Sequence, residues 1–207
     1  MRILACTDIH EEMTVIARFT RLIKQEKIDI FVCSGDFTIF GRSTKKVLEA
    51  FNSLPVPVVF IHGNHDDELE VRSLLKHYPN IHFVHDMPFE YNGFTFIGFG
   101  GGGFNRIEPT YDKIVKKHNY AFHDKTIMLM HPPPYGTLLD EVDQDWHVGA
   151  QTLTDIIRKK QPLIAFCGHI HECFHIRDEI GSTIVINPGP DGEVIELDDE
   201  EGSDFID

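Results

Sequence analysis

The chain has 207 residues, of which 42% are hydrophobic and 25% charged, a length and composition typical of one soluble globular domain. No apolar run approaches the roughly 18 residues that a membrane span needs, and the N-terminus lacks the basic and apolar regions of a signal peptide, so we expect a cytoplasmic protein. The net charge of −14, without any basic stripe, argues against binding of nucleic acid by phosphate neutralisation.

Short apolar runs alternate with helix-like segments along the chain, which is the pattern of an α/β domain. Strands are predicted at residues 2–6, 28–33, 56–61, 81–84, 94–99, 126–130, 163–167, 183–186 and 193–197. Helical spacing of apolar residues predicts helices at residues 13–27, 43–52, 68–77, 108–118 and 151–160. Ser43 is expected to cap the second helix.

The sequence contains no internal repeat and no linker, so residues 1–197 are predicted to form one domain. Eight acidic residues and no basic ones lie between Glu193 and Asp207, which indicates a last strand followed by a solvated acidic tail at 198–207. The run of glycines at 100–103 is not followed by the Gly-Lys-Ser/Thr of a P-loop. It is therefore predicted to be a surface loop, of the kind that can border a functional site.

Side chains that can bind metal ions follow five of the predicted strands directly. They are Asp8, His10, Asp36, Asn64, His131, His169 and His171. In layered α/β proteins, ligands bind where the carboxyl ends of strands meet, so these five loops are expected to lie together at one edge.

The residue types in this set fit two metal ions better than one. A structural zinc site closes four ligands around a single ion, whereas these seven side chains offer oxygen and imidazole nitrogen and need no thiolate. Such ligands suit two divalent transition-metal ions, with Mn²⁺, Fe, Zn²⁺ and Ni²⁺ as the candidates. Two ions about 3.5–4 Å apart can clamp the attacking and leaving oxygens of a phosphoryl displacement, which predicts a small phosphate ester as substrate.

The ordered motifs resemble those of the calcineurin-like metallophosphoesterase family. The pattern consists of Asp8-x-His10, Gly35-Asp36, Gly63-Asn64-His65-Asp66, His131 and Gly168-His169-x-His171, and it spans nearly the whole chain. The segments His-Pro-Pro-Pro-Tyr-Gly-Thr at 131–137 and Gly-His-Ile-His-Glu at 168–172 are similar to those of small stand-alone, Icc-type predicted phosphoesterases.

This resemblance implies a double β-sandwich flanked by α-helices, in four layers ordered α/β/β/α. It also implies that one ion is held by Asp8, His10 and His171, the other by Asn64, His131 and His169, and that Asp36 bridges the two. A metal-bridging hydroxide would attack phosphorus in line. His65 would contact the phosphate or assist the leaving oxygen, a role that histidine often performs in general acid–base catalysis.

One motif departs from the pattern of the protein Ser/Thr phosphatases in this family. Those enzymes read Gly-Asp-x-x-Asp-Arg-Gly, whereas Ile39 and Phe40 occupy the Asp and Arg positions here. A protein phosphatase is therefore disfavoured. A phosphodiesterase or a nucleotide-directed activity is somewhat favoured, because a monoester dianion needs the missing arginine more than a diester does.

Two alternative functions stay open at this stage. One is a phosphomonoesterase of broad specificity, and the other is a non-catalytic metal-binding scaffold with the same fold, against which the complete ligand set argues. His147 and Arg106 are candidate substrate-binding residues. For His147 a packing role is the alternative, and for Arg106 a solvated surface position. The sequence does not indicate an oligomeric state.

Overall fold

Two mixed β-sheets form the centre of the molecule, and helices cover the outer face of each sheet. The computed structural model describes residues 1–144 and 146–197. The strands are β1 (Arg2–Cys6), β2 (Ile30–Cys33), β3 (Val58–Phe60), β4 (Ile81–Phe83), β5 (Phe89–Tyr91), β6 (Phe94–Phe99), β7 (Thr126–Met130), β8 (Glu141–Asp143), β9 (Trp146–His147), β10 (Ile164–Phe166), β11 (Arg177–Ile180), β12 (Thr183–Ile186) and β13 (Glu193–Glu196).

Five α-helices connect these strands. They are α1 (Met13–Gln25), α2 (Thr44–Asn52), α3 (Glu68–Leu74), α4 (Pro109–Lys117) and α5 (Gln151–Lys160). Within the described part of the chain, none of these helices is both long and apolar enough to cross a membrane. The acidic tail predicted at 198–207 lies outside the described residues.

The first sheet has the strand order β13-β1-β2-β3-β4, and the second has the order β11-β12-β10-β7-β6-β5. Strands β1 to β4 are parallel, as are β12, β10, β7 and β6, whereas β13, β11 and β5 are antiparallel edge strands. Strands β8 and β9 pair with each other in a separate antiparallel two-stranded sheet.

Three apolar layers hold this arrangement together, because successive side chains of a strand point to opposite faces. On β1, Leu4 and Cys6 pack with the helices α1 and α2, while Ile3 and Ala5 pack against the second sheet. The outer face of the second sheet packs against α4 and α5. The result is the four-layer α/β/β/α fold that the sequence predicts.

Elements with a strong apolar pattern match the prediction most closely. Strands β1, β6, β7 and β12 and helix α5 begin and end at the predicted residues. Strands β5, β8, β9 and β11 were not predicted. Strand β11 has the sequence Arg-Asp-Glu-Ile and lies at a sheet edge, where one polar face meets water and the apolar signal is weak.

The prediction that Ser43 caps α2 is wrong. Ser43 has a φ of 56°, in the left-handed region, and its side chain makes no capping hydrogen bond. An N-cap side chain reaches the first turn from an extended backbone, which Ser43 does not have. Thr44 is the first residue of the helix, and its hydroxyl donates to the carbonyl oxygen of Gly41 at 2.9 Å.

The two sheets come into contact at Gly98 of β6. The backbone N–H of Gly98 donates to the carbonyl oxygen of Val84, just after β4, at 2.9 Å. A Cβ atom at position 98 would collide with Cγ2 of Ile61, so the close approach of the sheets requires glycine.

We therefore expect Gly98→Ala to destabilise the protein by about 1–3 kcal/mol, the usual cost of overpacking a close-packed core. For a domain of this size, that cost lowers the melting temperature by roughly 2–4 °C per kcal/mol, which thermal unfolding followed by circular dichroism measures. Glu90→Ala, at an exposed position of the neighbouring strand β5, is the control and should have little effect. Equal melting temperatures for Gly98→Ala and the parent would contradict this account of the sheet contact.

Candidate metal centre

The loops that follow β1, β2, β3, β7 and β10 meet where the carboxyl ends of both sheets face one another. Their ligand atoms form three groups, each within 4.8 Å: Asp8, His10 and His171; Asp36, His131 and His169; and His10, Asp36 and His65. Asn64 joins the second group, because its Oδ1 lies 3.0 Å from Nε2 of His131. The structure thus brings together all seven predicted ligands and His65.

Asp8 is buried at the centre of the first group. Its Oδ2 accepts hydrogen bonds from the Thr7 hydroxyl at 2.7 Å and from the His169 N–H at 3.0 Å. Its Oδ1 is also buried, has no hydrogen-bond partner among the described residues, and lies 3.5 Å from Nε2 of His171. A buried carboxylate oxygen without a donor is costly unless a cation binds it, so this atom fits a metal ligand.

Asp36 lies between the two groups. Its Oδ1 accepts a hydrogen bond from the backbone N–H of His65 at 2.8 Å, and its Oδ2 is 3.3 Å from Nε2 of His131. A Cβ atom at Gly63 would collide with this carboxylate. Glycine at 63 therefore lets the third loop approach the second closely enough to share Asp36.

Backbone carbonyls orient two of the histidines. Nδ1 of His131 is 2.9 Å from the carbonyl oxygen of Ser34, and Nδ1 of His10 is 3.3 Å from that of Thr38. Because a carbonyl oxygen only accepts, each Nδ1 carries a hydrogen, and in the neutral ring each Nε2 keeps its lone pair for a metal ion. This is the usual way in which metal-binding histidines are fixed.

The charges of the site favour a cation. Burial raises the pKa of Asp8 and Asp36, but the imidazole of His171 beside Asp8, the imidazole of His131 beside Asp36 and the charge of His131 outweigh burial and lower both pKa values. Burial opposes the charged form of His131, yet its hydrogen bond to Asp36 and the charges of Asp36 and Asp8 raise its pKa to about 9. Two ionised carboxylates thus stabilise positive charge in the space between the loops.

Four of the seven predicted ligands adopt a backbone conformation that is uncommon for residues other than glycine. Asp8, His10, Asp36 and His169 have φ values of 51°, 41°, 49° and 71°. A positive φ at such a residue costs about 1 kcal/mol or more of folding free energy, so contacts with the surrounding loops must hold these four residues in place. Asp8 N donates to Gly35 O and His10 N donates to Asp36 O, both at 3.0 Å, which locks the first loop onto the second.

Asp66 connects the second and third loops in the same way. Its Oδ1 accepts from the N–H and hydroxyl of Thr38 at 2.8 and 2.7 Å, and its Oδ2 accepts from the N–H of Gly63 at 2.8 Å. Burial raises the pKa of this carboxyl to about 6, although these hydrogen bonds act in the opposite direction. In the sequence Asp66 stands out only as the last residue of a motif, and no role was predicted for it.

Two exposed aromatic side chains flank the metal-ligand groups. The ring centroid of Phe40 is 4.4 Å from that of His65, and the ring centroid of Phe104 is 4.4 Å from that of His169. Phe40 is 75% exposed and Phe104 is 69% exposed. Phe104 was not among the predicted site residues, because its only signal is an apolar side chain directly after the glycine run.

His147 and Arg106 lie outside the metal-ligand groups, but both line one groove beside Phe104. Nδ1 of His147 donates to the carboxylate of buried Asp140 at 2.8 Å, and the guanidinium of Arg106 lies over the ring of Tyr135 at 3.8 Å. Asp140 also accepts from the N–H of Gly149 at 2.8 Å. Asp140, which was not predicted from the sequence, therefore fixes the position of His147.

His62, Glu68 and His85 form a further cluster of possible ligands next to the site. Glu68 already accepts a hydrogen bond from Arg72 at 2.7 Å. Nδ1 of His85 accepts from the N–H of Gly100 at 2.9 Å, so the hydrogen of the neutral ring lies on Nε2. In that neutral ring Nε2 of His85 has no lone pair for a metal ion, and Glu68 forms an ion pair with Arg72 next to the two imidazoles.

The hydrogen bonds that the Asp66 carboxylate accepts lead to a prediction about stability and metal affinity. Asp66→Asn keeps the shape of the side chain but replaces one carboxylate oxygen with an NH₂ group. This NH₂ cannot accept a hydrogen bond from the backbone N–H that faces it. We expect a loss of about 1–3 kcal/mol in the free energy of unfolding, and weaker binding of Mn²⁺, measured by urea unfolding and by calorimetry. Asp67→Asn is the control, because Asp67 caps α3 and asparagine caps equally well. Equal Mn²⁺ affinity in Asp66→Asn and Asp67→Asn would show that Asp66 does not position the ligands.

Comparisons with known proteins agree with this geometry. The family model for calcineurin-like phosphoesterases matches residues 1–173. An uncharacterised protein of Methanocaldococcus jannaschii, MJ1162, is 33% identical over 206 residues, which cover 92% of this chain and 88% of that protein.

Solved structures show the same fold at lower sequence identity. The protein TT1561 of Thermus thermophilus superposes with a TM-score of 0.76 at 16% identity, over 92% of this chain and 89% of that one. A structure described as a novel archaeal phosphodiesterase has a TM-score of 0.56 at 18% identity, over 91% and 84% of the two chains. Since the family model covers most of the residues and all five ligand loops, the chain belongs to the calcineurin-like phosphoesterase family.

Proposed function

We propose that this protein is a phosphoesterase that works with two divalent metal ions and acts on phosphodiesters or nucleotide-like esters. The observation that carries the proposal is the pair of ligand groups on either side of Asp36, with the unpartnered Oδ1 of Asp8 in one and the unpartnered Nε2 of His169 in the other. Oxygen and imidazole ligands of this kind suit Mn²⁺, Fe, Zn²⁺ or Ni²⁺.

The ligands divide between the two ions as follows: Asp8, His10 and His171 for one, Asn64, His131 and His169 for the other, and Asp36 for both. Two ions would hold the phosphate group and lower the pKa of a water molecule at the site. Asn64 and His171 are exposed, so a phosphate ester can reach the site from solvent.

His65 is proposed as the residue that gives a proton to the leaving oxygen. Its backbone N–H binds Asp36, its ring lies 5.2 Å from that of His10, and its Nδ1 has no hydrogen-bond partner among the described residues. Unlike His10 and His131, it has no carbonyl oxygen that fixes one nitrogen for a metal. A half-buried imidazole beside the ligands suits general-acid catalysis.

A preference for diesters or nucleotides is supported by what surrounds His65. Phe40 packs on His65 at the position where protein phosphatases of the family carry arginine. The Phe40 ring cannot form an ion pair with the second negative charge of a phosphomonoester. It can, however, contact an organic group of a phosphodiester. The archaeal structural neighbour described as a phosphodiesterase is consistent with this preference, although its likeness concerns the fold.

A non-catalytic scaffold and a broad phosphomonoesterase are the competing functions. A panel of bis-p-nitrophenyl phosphate, p-nitrophenyl phosphate, cyclic nucleotides and dinucleotides, assayed with Mn²⁺, separates the three. We expect turnover of the diesters to exceed that of the monoester. No hydrolysis of any compound by protein with Mn²⁺ bound would leave the scaffold as the function.

His65→Ala tests the assignment of the proton donor. We expect the mutation to reduce kcat for dinucleotides by at least about 10²-fold, with less effect on p-nitrophenyl esters, whose leaving group needs no proton. Mn²⁺ content should stay unchanged. His77→Ala, at an exposed histidine after α3, is the control and should leave kcat unaltered. Loss of Mn²⁺ from His65→Ala would show that His65 is a metal ligand.

A further inference from the structure

A groove of about 640 Å³ lies beside the candidate metal centre, on the side of His169. Its walls are mainly carbon, and the residues that form them are Phe104, Arg106, Val142, Trp146, His147 and Val148. Phe104 marks the boundary between the groove and the metal-ligand groups, because its ring is 4.4 Å from the ring of His169. A molecule whose phosphate reaches His169 can therefore extend into this groove.

Flat groups dominate the groove. Phe104 is 69% exposed and Trp146 is 63% exposed, although burial of such rings is strongly favourable. Cζ of the Arg106 guanidinium lies over the Tyr135 ring, 3.8 Å from its centroid, and Arg106 is exposed. Two rings and one guanidinium plane favour a planar aromatic occupant over an aliphatic chain.

The walls of the groove are held in place by hydrogen bonds. Gln151 N, at the start of α5, donates to the carbonyl oxygen of Arg106 at 2.8 Å, and Val148 N donates to that of Asp140 at 3.0 Å. His147 is fixed through Nδ1, which leaves Nε2 of the neutral ring to accept a hydrogen bond from an amino group or a ring N–H of a ligand. The groove is thus preformed, and it fits a planar ligand that also carries hydrogen-bonding atoms.

We propose that this groove binds the nucleobase of a nucleotide ester whose phosphate lies at the metal centre. The proposal rests on the proposed function and deepens it, because it names the chemical class of the organic group. Stacking on Phe104, Trp146 and Arg106 accepts any base, since every base has a π-face. The groove volume lies within the range of small-molecule sites in proteins.

Trp146 provides a direct test, because it is the only tryptophan of the chain. Mn²⁺-loaded protein is titrated with AMP and with ribose 5-phosphate, which differ only by the base, while tryptophan fluorescence is recorded. Equilibrium dialysis with the same two compounds measures affinity independently. We expect AMP to quench the fluorescence and to bind on the order of tenfold more tightly than ribose 5-phosphate, as expected for base stacking on aromatic side chains.

Phe104→Ala should reduce the preference for AMP roughly tenfold and leave binding of ribose 5-phosphate unchanged. Tyr120→Ala is the matched control, because Tyr120 is an aromatic side chain of 70% exposure that does not line the groove. Equal affinities for AMP and ribose 5-phosphate would overturn the proposal. The proposal would also be overturned if Phe104→Ala kept the full preference for AMP. It would likewise be overturned if AMP bound to the parent protein without changing the Trp146 fluorescence.

The same protein samples separate this proposal from the proposed function. If AMP is preferred but Mn²⁺-loaded protein hydrolyses no ester in the panel, the groove is confirmed and the hydrolase assignment fails. If bis-p-nitrophenyl phosphate is hydrolysed and AMP has no advantage over ribose 5-phosphate, only the nucleobase groove is refuted.

Discussion

The arrangement of the site depends on Asp36, a buried carboxylate placed where loops from different strands meet. One of its oxygens holds the backbone of His65, and the other faces His131 from the second sheet. Burial of a charge without partners would be very costly, so Asp36 is stable only because the imidazole of His131, the backbone N–H of His65 and, in our proposal, metal ions surround it. The same contacts bring groups from both sheets to a single point.

Around Asp36 the chain accepts unfavourable conformations and close approaches. Asp8, His10, Asp36 and His169 have positive φ values, and Gly63 leaves room that any side chain would fill. Such features are over-represented at functional sites, where the surrounding structure compensates for their cost. Here Asp66 and the backbone bonds between the first and second loops supply that compensation.

The sequence predicts the fold and the ligand loops well because both produce regular local signals. Strands β1, β6 and β7 are continuous apolar runs, and the ligands follow the strands within motifs of fixed spacing. The edge strand β11 is mostly polar, so it shows little of the alternation between apolar and polar residues that predicts a strand. The groove could not be predicted, because Phe104 lies in a loop and Trp146 in the unpredicted short strand β9, more than forty residues apart, and only the folded chain places them together.

Anomalous diffraction from crystals of the Mn²⁺-loaded protein tests the central claim most directly. We expect two anomalous peaks, one on either side of Asp36, the first among Asp8, His10 and His171 and the second among Asn64, His131 and His169. In crystals of Asp36→Asn at least one of the two peaks should be weakened or lost. A single peak, or a peak among His62, Glu68 and His85 in place of one beside Asp36, would contradict the account.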